Sequence, residues 1–145
     1  MTTLTDELTE FLENENLVLL STIDASEPVP NLTAISWVKP ADSEHVRFSV
    51  TTQSRMLENI RHNPNVILTV IAGETVYSIK GKASILEEPM PGVSLKLTKV
   101  EVKVSQVFES MFWGAKITQV PQFVKTYNPE KAKKLDDEVY KALMK

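Results

Sequence analysis

Six stretches rich in β-forming residues, joined mostly by short turns, constrain the fold of this chain more than any other feature. They span residues 16–24, 28–39, 45–51, 65–72, 75–87 and 94–107. Parallel strands need a long crossover, usually a helix, between successive strands. Here only one helical pattern, at 54–62, separates two of the stretches. The order therefore predicts a mainly β fold with flanking helices, built as a six-stranded antiparallel barrel.

Apolar stripes at helical spacing predict one helix on either side of the β segments, at about 3–14 and about 129–144. The stripes consist of Leu4, Leu8, Phe11 and Leu12 in the first helix and of Ala132, Leu135, Val139 and Leu143 in the second. No linker or repeat interrupts the sequence, so residues 1–145 are predicted to form a single domain.

Two strand patterns contain an irregularity. Gly81 lies in the middle of the segment at 75–87, and glycine inside a strand often marks a bulge or a bend. In the segment at 94–107, the alternation of apolar residues changes parity near Lys99. We therefore expect a bulge at both places, where the sheet curls.

Composition excludes several classes of function. The formal net charge of −3 argues against a nucleic-acid binder, which normally carries a basic field. No stretch reaches the roughly 20 apolar residues needed to cross a bilayer. The absence of cysteine excludes disulfides and thiolate sites, and with only two histidines no metal site is expected. A cytoplasmic location fits these properties.

The turn before the predicted helix at 54–62 gathers hydrogen-bond donors in the segment "VTTQSRMLENIRHNP" (50–64). Thr51, Thr52, Ser54 and Arg55 come before the first acid, Glu58. Free backbone N–H groups and a partial positive charge at a helix N-terminus make such a turn a candidate anion site, most often for phosphate. The alternative is that Ser54 only caps the helix while the threonines belong to the strand and Arg55 is solvated. Spacing alone favours the second interpretation.

The longer stretch "RFSVTTQSRMLENIRHNPNVILTV", followed by "VYSIKGKA", resembles the FMN-binding split-barrel family that includes pyridoxamine 5'-phosphate oxidase. The resemblance covers about residues 16–88 and implies a six-stranded antiparallel split β-barrel that binds FMN. It implies that Ser54 and Arg55 bind the phosphate, that the two threonines line the same turn, and that a β-strand lies along the flavin ring. The cofactor-binding residues implied in this way are Ala34, Ile35, Ser36, Trp37, Thr51, Thr52, Ser54 and Arg55. Members are typically homodimers with the flavin between subunits, so a homodimer is expected here.

The sequence departs from the family pattern in two places. Met56 stands where the family often has a lysine after the Ser-Arg pair, which removes one phosphate cation; Arg47 and Arg61 are candidates to replace it. The family's pyridoxamine-phosphate oxidases have an arginine-rich C-terminal segment, whereas residues 100–145 contain no arginine. Pyridoxamine 5'-phosphate oxidase activity itself is therefore not expected.

Three functions stay open, and no catalytic residue can be named. The first is a flavin-dependent oxidoreductase that acts on an unidentified small molecule. The second is a non-catalytic flavin- or haem-binding protein with a role as a sensor, a store or a stress protein. The third is a scaffold without a cofactor that acts through the segment "VFESMFWG" (107–114). The aromatic residues of this segment suit core or dimer-interface packing, or a wall over the flavin.

Overall fold

One antiparallel sheet of seven strands forms the body of the protein in the computed structural model, which describes all residues 1–145. Three helices accompany the sheet. In chain order the elements are α1 (Asp6–Leu12), β1 (Val18–Ile23), β2 (Pro30–Ile35), β3 (Val38–Asp42), β4 (His45–Thr51), α2 (Arg55–His62), β5 (Asn65–Ala72), β6 (Thr75–Glu87), β7 (Leu97–Glu109) and α3 (Pro129–Leu143).

The predicted fold class is confirmed, with seven strands in place of six. The segment at 28–39 is not one strand, because it is interrupted at Ser36 and Trp37 and divides into β2 and β3. Most of β3, residues 40–42, lies between the predicted β segments at 28–39 and 45–51. Pro40 sits within β3, where it is tolerated because β3 is an edge strand.

The strand order closes the sheet into a split barrel. The order is β2-β1-β5-β6-β7-β4-β3, so the two edge strands follow one another in the chain. The interior holds one apolar cluster of 22 buried residues, to which α1, α2 and every strand except β2 contribute. Leu20, Phe48, Leu68, Ile79 and Val102 are fully buried within it.

Both expected irregularities lie in the β6–β7 pair. The pairing shifts between Lys80 and Gly81, as predicted. A Cβ atom on Gly81 would lie 2.3 Å from the carbonyl oxygen of Lys103, so only glycine allows the strands to approach this closely. The second shift lies between Ile85 and Glu87, opposite Lys99. The extra residue there belongs to β6 and not to β7, whose pairing with β4 is regular.

Helix α3 packs on the outside of the barrel and completes a second, smaller apolar cluster. Val139 and Leu143 of the helix are fully buried there together with Met90 and Leu97. This placement matches the apolar stripe predicted for the C-terminal helix. No helix of the protein combines the length and apolar character that a membrane span requires.

The segment between β7 and α3 has no regular secondary structure and carries exposed aromatic side chains. Phe112 is 71% exposed and Trp113 is 97% exposed. Neither side chain belongs to the core of this chain, so core packing, one of the roles expected for these aromatic residues, does not apply to Phe112 and Trp113. Packing at a dimer interface and contact with a bound flavin stay predictions.

Candidate functional site

The candidate site begins at the N-terminus of α2, which Ser54 caps. The Ser54 hydroxyl accepts a hydrogen bond from the Met56 N–H at 3.2 Å, and the Ser54 N–H donates to the Thr51 carbonyl at 2.9 Å. The Thr52 N–H donates to the Lys96 carbonyl at 3.1 Å, which ties the turn to the chain just before β7. The capping role that sequence favoured for Ser54 is therefore present, and the turn is held at both ends.

The Arg55 side chain leans towards the turn between β1 and β2. Its Nη1 atom lies 3.5 Å from Asp24 Oδ2, and the side chain is 70% exposed. Asp24 also accepts hydrogen bonds from the N–H groups of Ser26 and Glu27. The hydrogen bond from Ser26, with further help from Glu27 and the charge of Arg55, holds the pKa of Asp24 below its ordinary value. The guanidinium thus has a carboxylate partner, but a distant and solvated one.

A buried amide fixes α2 against β1 and β2. Asn59, 1% exposed, donates to Thr22 Oγ1 at 2.9 Å and to Asn31 Oδ1 at 2.8 Å. Its own Oδ1 atom accepts from the Ala25 N–H at 2.9 Å. A buried polar group is stable only when its hydrogen bonds are satisfied, and here three bonds to one side chain hold the helix, strands β1 and β2 and the turn between them together.

A cleft of about 380 Å³ joins this turn to the β2–β3 corner. This volume lies within the range of small-molecule sites, roughly 300–1,000 Å³. Six of the eight residues implied by the family resemblance line it, while Thr52 and Arg55 do not. The lining residues are Thr33, Ala34, Ile35, Ser36, Trp37, Ser49, Val50, Thr51, Ser54, Lys125 and Tyr127. Two separate segments, 34–37 and 51–54, therefore meet in one cavity.

Trp37 has two roles at the cleft. Its ring contacts the apolar cluster under α3, and its Nε1–H donates to Asp136 Oδ1 at 2.7 Å. The Tyr140 hydroxyl lies 3.0 Å from Glu15 Oε2 and 3.1 Å from the Ser36 carbonyl oxygen. Burial, strengthened by the charge of Glu15, raises the pKa of Tyr140, so its hydroxyl stays protonated and remains a donor. These bonds lock the β2–β3 corner against α3.

The two arginines proposed to replace the missing phosphate lysine are engaged elsewhere. Arg47 Nε lies 2.9 Å from Glu101 Oε2, and its Nη1 donates to the Leu143 carbonyl at 2.9 Å, at the end of α3. Arg61 forms an ion pair with Glu88. Neither lines the cleft, so the structure does not favour either as the replacement cation.

Sequence reasoning missed four residues that shape the site. Asp24 and Asn59 hold the turn and the helix, and Lys125 and Tyr127 line the cleft from the irregular segment before α3. Lys125 and Tyr127 belong to a segment without regular secondary structure, and no local pattern indicates that they line the cleft. Asn59 could have been suspected, because it lies one residue before Ile60 on the apolar side of α2.

Chemically, the cleft offers donors and few acid–base groups. Hydroxyls of serine and threonine, one ammonium group and one nearby guanidinium suit a ligand that carries phosphate and carbonyl oxygens. His45 and His62 do not line it. The arrangement is fitted to bind and orient a ligand, while the chemistry of any reaction would come from the ligand itself.

The comparisons with known proteins agree with the architecture. A family model described as pyridoxamine 5'-phosphate oxidase matches residues 4–120. A search of curated proteins found no match for the chain. Several solved structures share the fold, all with low sequence identity.

Three of these structures illustrate the range. A pyridoxamine 5'-phosphate oxidase candidate from Lactobacillus delbrueckii is 22% identical, with a TM-score of 0.63 over 74% of this chain and 95% of that one. General Stress Protein 26 from Bacillus anthracis is 15% identical, with a TM-score of 0.60 over 72% and 91%. An F420 reductase is 20% identical, with a TM-score of 0.58 over 68% and 94%. Because the family model covers most of the chain and the barrel is shared, this protein belongs to the pyridoxamine 5'-phosphate oxidase family.

Proposed function

We propose that the cleft binds FMN without a covalent bond. One observation carries the proposal: residues 34–37, which the family resemblance assigns to the ring of FMN, line the same cavity as Thr51 and Ser54 of the turn that it assigns to the phosphate. The cleft has a strand on one side for a flat ring and the capped N-terminus of α2 near its other end, where an anion is stabilised. Bound flavin would supply hydride chemistry, and the protein would supply position and shielding.

The phosphate end tests the fit most severely, because Arg55 pairs with Asp24 and does not line the cleft. A hydrogen bond to a charged group contributes about 1.5–3 kcal/mol. An ion pair as exposed as Arg55–Asp24, at 3.5 Å, contributes about 0–1 kcal/mol. The phosphate contact is the stronger of the two, so the guanidinium would leave Asp24 for the ligand. The residues present therefore fit the group.

We extend the proposal to a homodimer with the flavin between subunits. Every residue of β2 is at least partly exposed, and Leu32 in it is 62% exposed. As an edge strand, β2 also leaves one row of backbone groups without a strand partner. A second copy of the chain would cover the exposed apolar side chains of Leu32, Phe112 and Trp113. Sedimentation analysis of the flavin-loaded protein tests the homodimer. Flavin-loaded protein that sediments as a monomer would refute it.

The reaction we propose is electron transfer from a reduced nicotinamide to a small molecule through the flavin. No acid–base pair lines the cleft, and flavin chemistry does not need one. The same observation favours a second candidate, a protein that holds flavin without turnover. Haem fits the cleft less well, since no histidine lines it to serve as the usual axial ligand.

The deciding experiment is spectroscopic. The purified protein is expected to be yellow, or to quench the fluorescence of added FMN at micromolar concentration. A colourless protein that leaves FMN fluorescence unchanged would contradict the proposal, and a haem spectrum would replace it. Steady oxidation of NADH or NADPH by the loaded protein with an electron acceptor would identify an enzyme. Bound flavin that never turns over would identify the non-catalytic alternative.

A further inference from the structure

Lys125 is the one charged residue among those that line the cleft, and its hydrogen-bonding capacity is not used. Its side chain is only 22% exposed. The nearest carboxylate oxygens, Asp136 Oδ1 at 3.4 Å and Glu15 Oε2 at 3.6 Å, lie beyond the 2.7–3.2 Å of an ordinary N–H···O bond. An ammonium group has three donors, so a mostly buried cation belonging to a residue of the cavity wall has donors available for a ligand.

The two nearby carboxylates are already bound to other donors. Asp136 Oδ1 accepts the Trp37 Nε1–H at 2.7 Å, and Glu15 Oε2 accepts from the Tyr140 hydroxyl at 3.0 Å. The Lys125 ammonium lies over the Trp37 ring, 5.7 Å from its centroid. The carboxylates and the ring therefore hold the positive charge near the cleft without consuming its hydrogen bonds.

These contacts locate Lys125 at the β2–β3 corner, at the Trp37 end of the cleft. We infer that Lys125 binds the flavin at its ring, donating to the carbonyl edge of the isoalloxazine and favouring the reduced form of the cofactor. The inference rests on the proposed function. Negative charge collects on this edge of the ring when it is reduced, and a nearby cation tunes the electronics of the flavin. In this proposal Lys125 does not replace, at the phosphate, the lysine that is missing after Arg55. It binds the flavin ring instead.

A purely structural role for Lys125 makes a different prediction. If the lysine only latched the irregular segment to Asp136, removing either partner would loosen the cleft, and both variants would bind flavin more weakly. If Lys125 contacts the ligand, Asp136→Asn keeps an acceptor for Trp37 but releases the ammonium from a competing charge. That variant would then bind flavin more tightly, whereas Lys125→Met would bind it more weakly.

The test measures the affinity for FMN and for riboflavin, together with the midpoint potential of bound FMN, in the full-length protein. Lys125→Met is expected to weaken binding of oxidised FMN about fivefold and of reduced FMN about 50-fold, since the reduced ring offers a charged acceptor. The tenfold difference lowers the two-electron midpoint potential by about 30 mV. Riboflavin is expected to lose as much as FMN, because the phosphate is not involved.

Two further variants complete the design. Lys116→Met makes the same substitution in the same segment, at a side chain that is 71% exposed and paired with Glu74, and is expected to leave every value unchanged. Lys125→Arg keeps the charge and is expected to restore most of the potential. Unchanged affinity and potential in Lys125→Met would overturn the inference, as would weaker binding in both Lys125→Met and Asp136→Asn. Wild-type protein that does not bind FMN at all would refute the proposed function as well, and is recognised by a flat titration.

Discussion

Replacing Arg55 by alanine isolates the phosphate end of the proposed site. The side chain is 70% exposed and forms its ion pair with Asp24, so the fold is expected to survive its removal. The variant loses a charge-assisted bond to phosphate of about 1.5–3 kcal/mol. In the free protein it also gives up the exposed pair with Asp24, for which about 0–1 kcal/mol must be subtracted. The net loss is therefore about 0.5–3 kcal/mol, which corresponds to about 2- to 160-fold weaker binding of FMN.

The assay compares two ligands that differ only in the phosphate. Quenching of flavin fluorescence gives the dissociation constants of FMN and riboflavin for the wild type and for Arg55→Ala. Riboflavin binding is expected to change less than twofold, because the ring end of the cleft is untouched. Arg61→Ala is the matched control: it removes an arginine of the same helix that pairs with Glu88 and does not line the cleft. It is expected to leave both ligands unaffected.

Equal losses for FMN and riboflavin would show that Arg55 supports the cleft in general and does not hold the phosphate. An unchanged affinity for FMN would show that Arg55 stays with Asp24 when the ligand binds. Either result would refute the assignment. A rise in salt concentration provides an independent check, since it weakens exposed charge contacts and is expected to reduce the FMN affinity of the wild type more than that of the variant.

Three further changes test the framework of the site. Gly81→Ala places a Cβ atom 2.3 Å from the Lys103 carbonyl oxygen and is expected to lower the free energy of unfolding in urea by about 1–3 kcal/mol; unchanged stability would contradict the close approach of β6 and β7. Asn59→Ala removes three hydrogen bonds of a buried side chain and is expected to lower the free energy of unfolding by about 2–3 kcal/mol, while the same change at the exposed Asn65 costs much less. Asp24→Asn removes a carboxylate whose pKa in the folded protein is below its ordinary value of 3.8. The charged carboxylate therefore stabilises the fold fully above pH 3.8, and this contribution is lost as the pH falls through the lower pKa of the folded state. Urea unfolding is therefore expected to separate Asp24→Asn from the wild type at neutral pH, with the difference vanishing in acid; a difference that persisted there would show that the charge is not the cause.

Local patterns predicted most of the architecture because their causes are local. Ser54 before an apolar stripe was sufficient for the start of α2, and Gly81 within a strand was sufficient for the shift in pairing. The split of the second β segment was missed because no glycine, proline, asparagine or aspartate lies at or next to Ser36 and Trp37, where the strand is interrupted. What interrupts the segment is the turn of the chain from one edge of the sheet to the other, and that is a property of the closed barrel.

The candidate site was less accessible to sequence reasoning for the same reason. The resemblance named residues of two segments, and their meeting in one cleft depends on the barrel that both belong to. The direction of Arg55 depends on Asp24, a residue of a turn that the sequence marks only as a turn. Lys125 lies in a segment without periodicity, and in the folded protein its ammonium lies over the Trp37 ring, beside the cluster that α3 completes. Contacts between distant segments such as these produce no recognisable pattern in the sequence.

The passage of the chain from β2 to β3 through Ser36 and Trp37 has a mechanical consequence. These two residues are the seam at which the first and last strands of the sheet come together, and both face the cleft. A ligand bound along Ser36 and Trp37 would contact the ends of both edge strands, β2 and β3, at the same time. Separating β2 from β3 would then require the ligand to dissociate, so ligand binding is expected to raise the free energy of unfolding of the whole sheet.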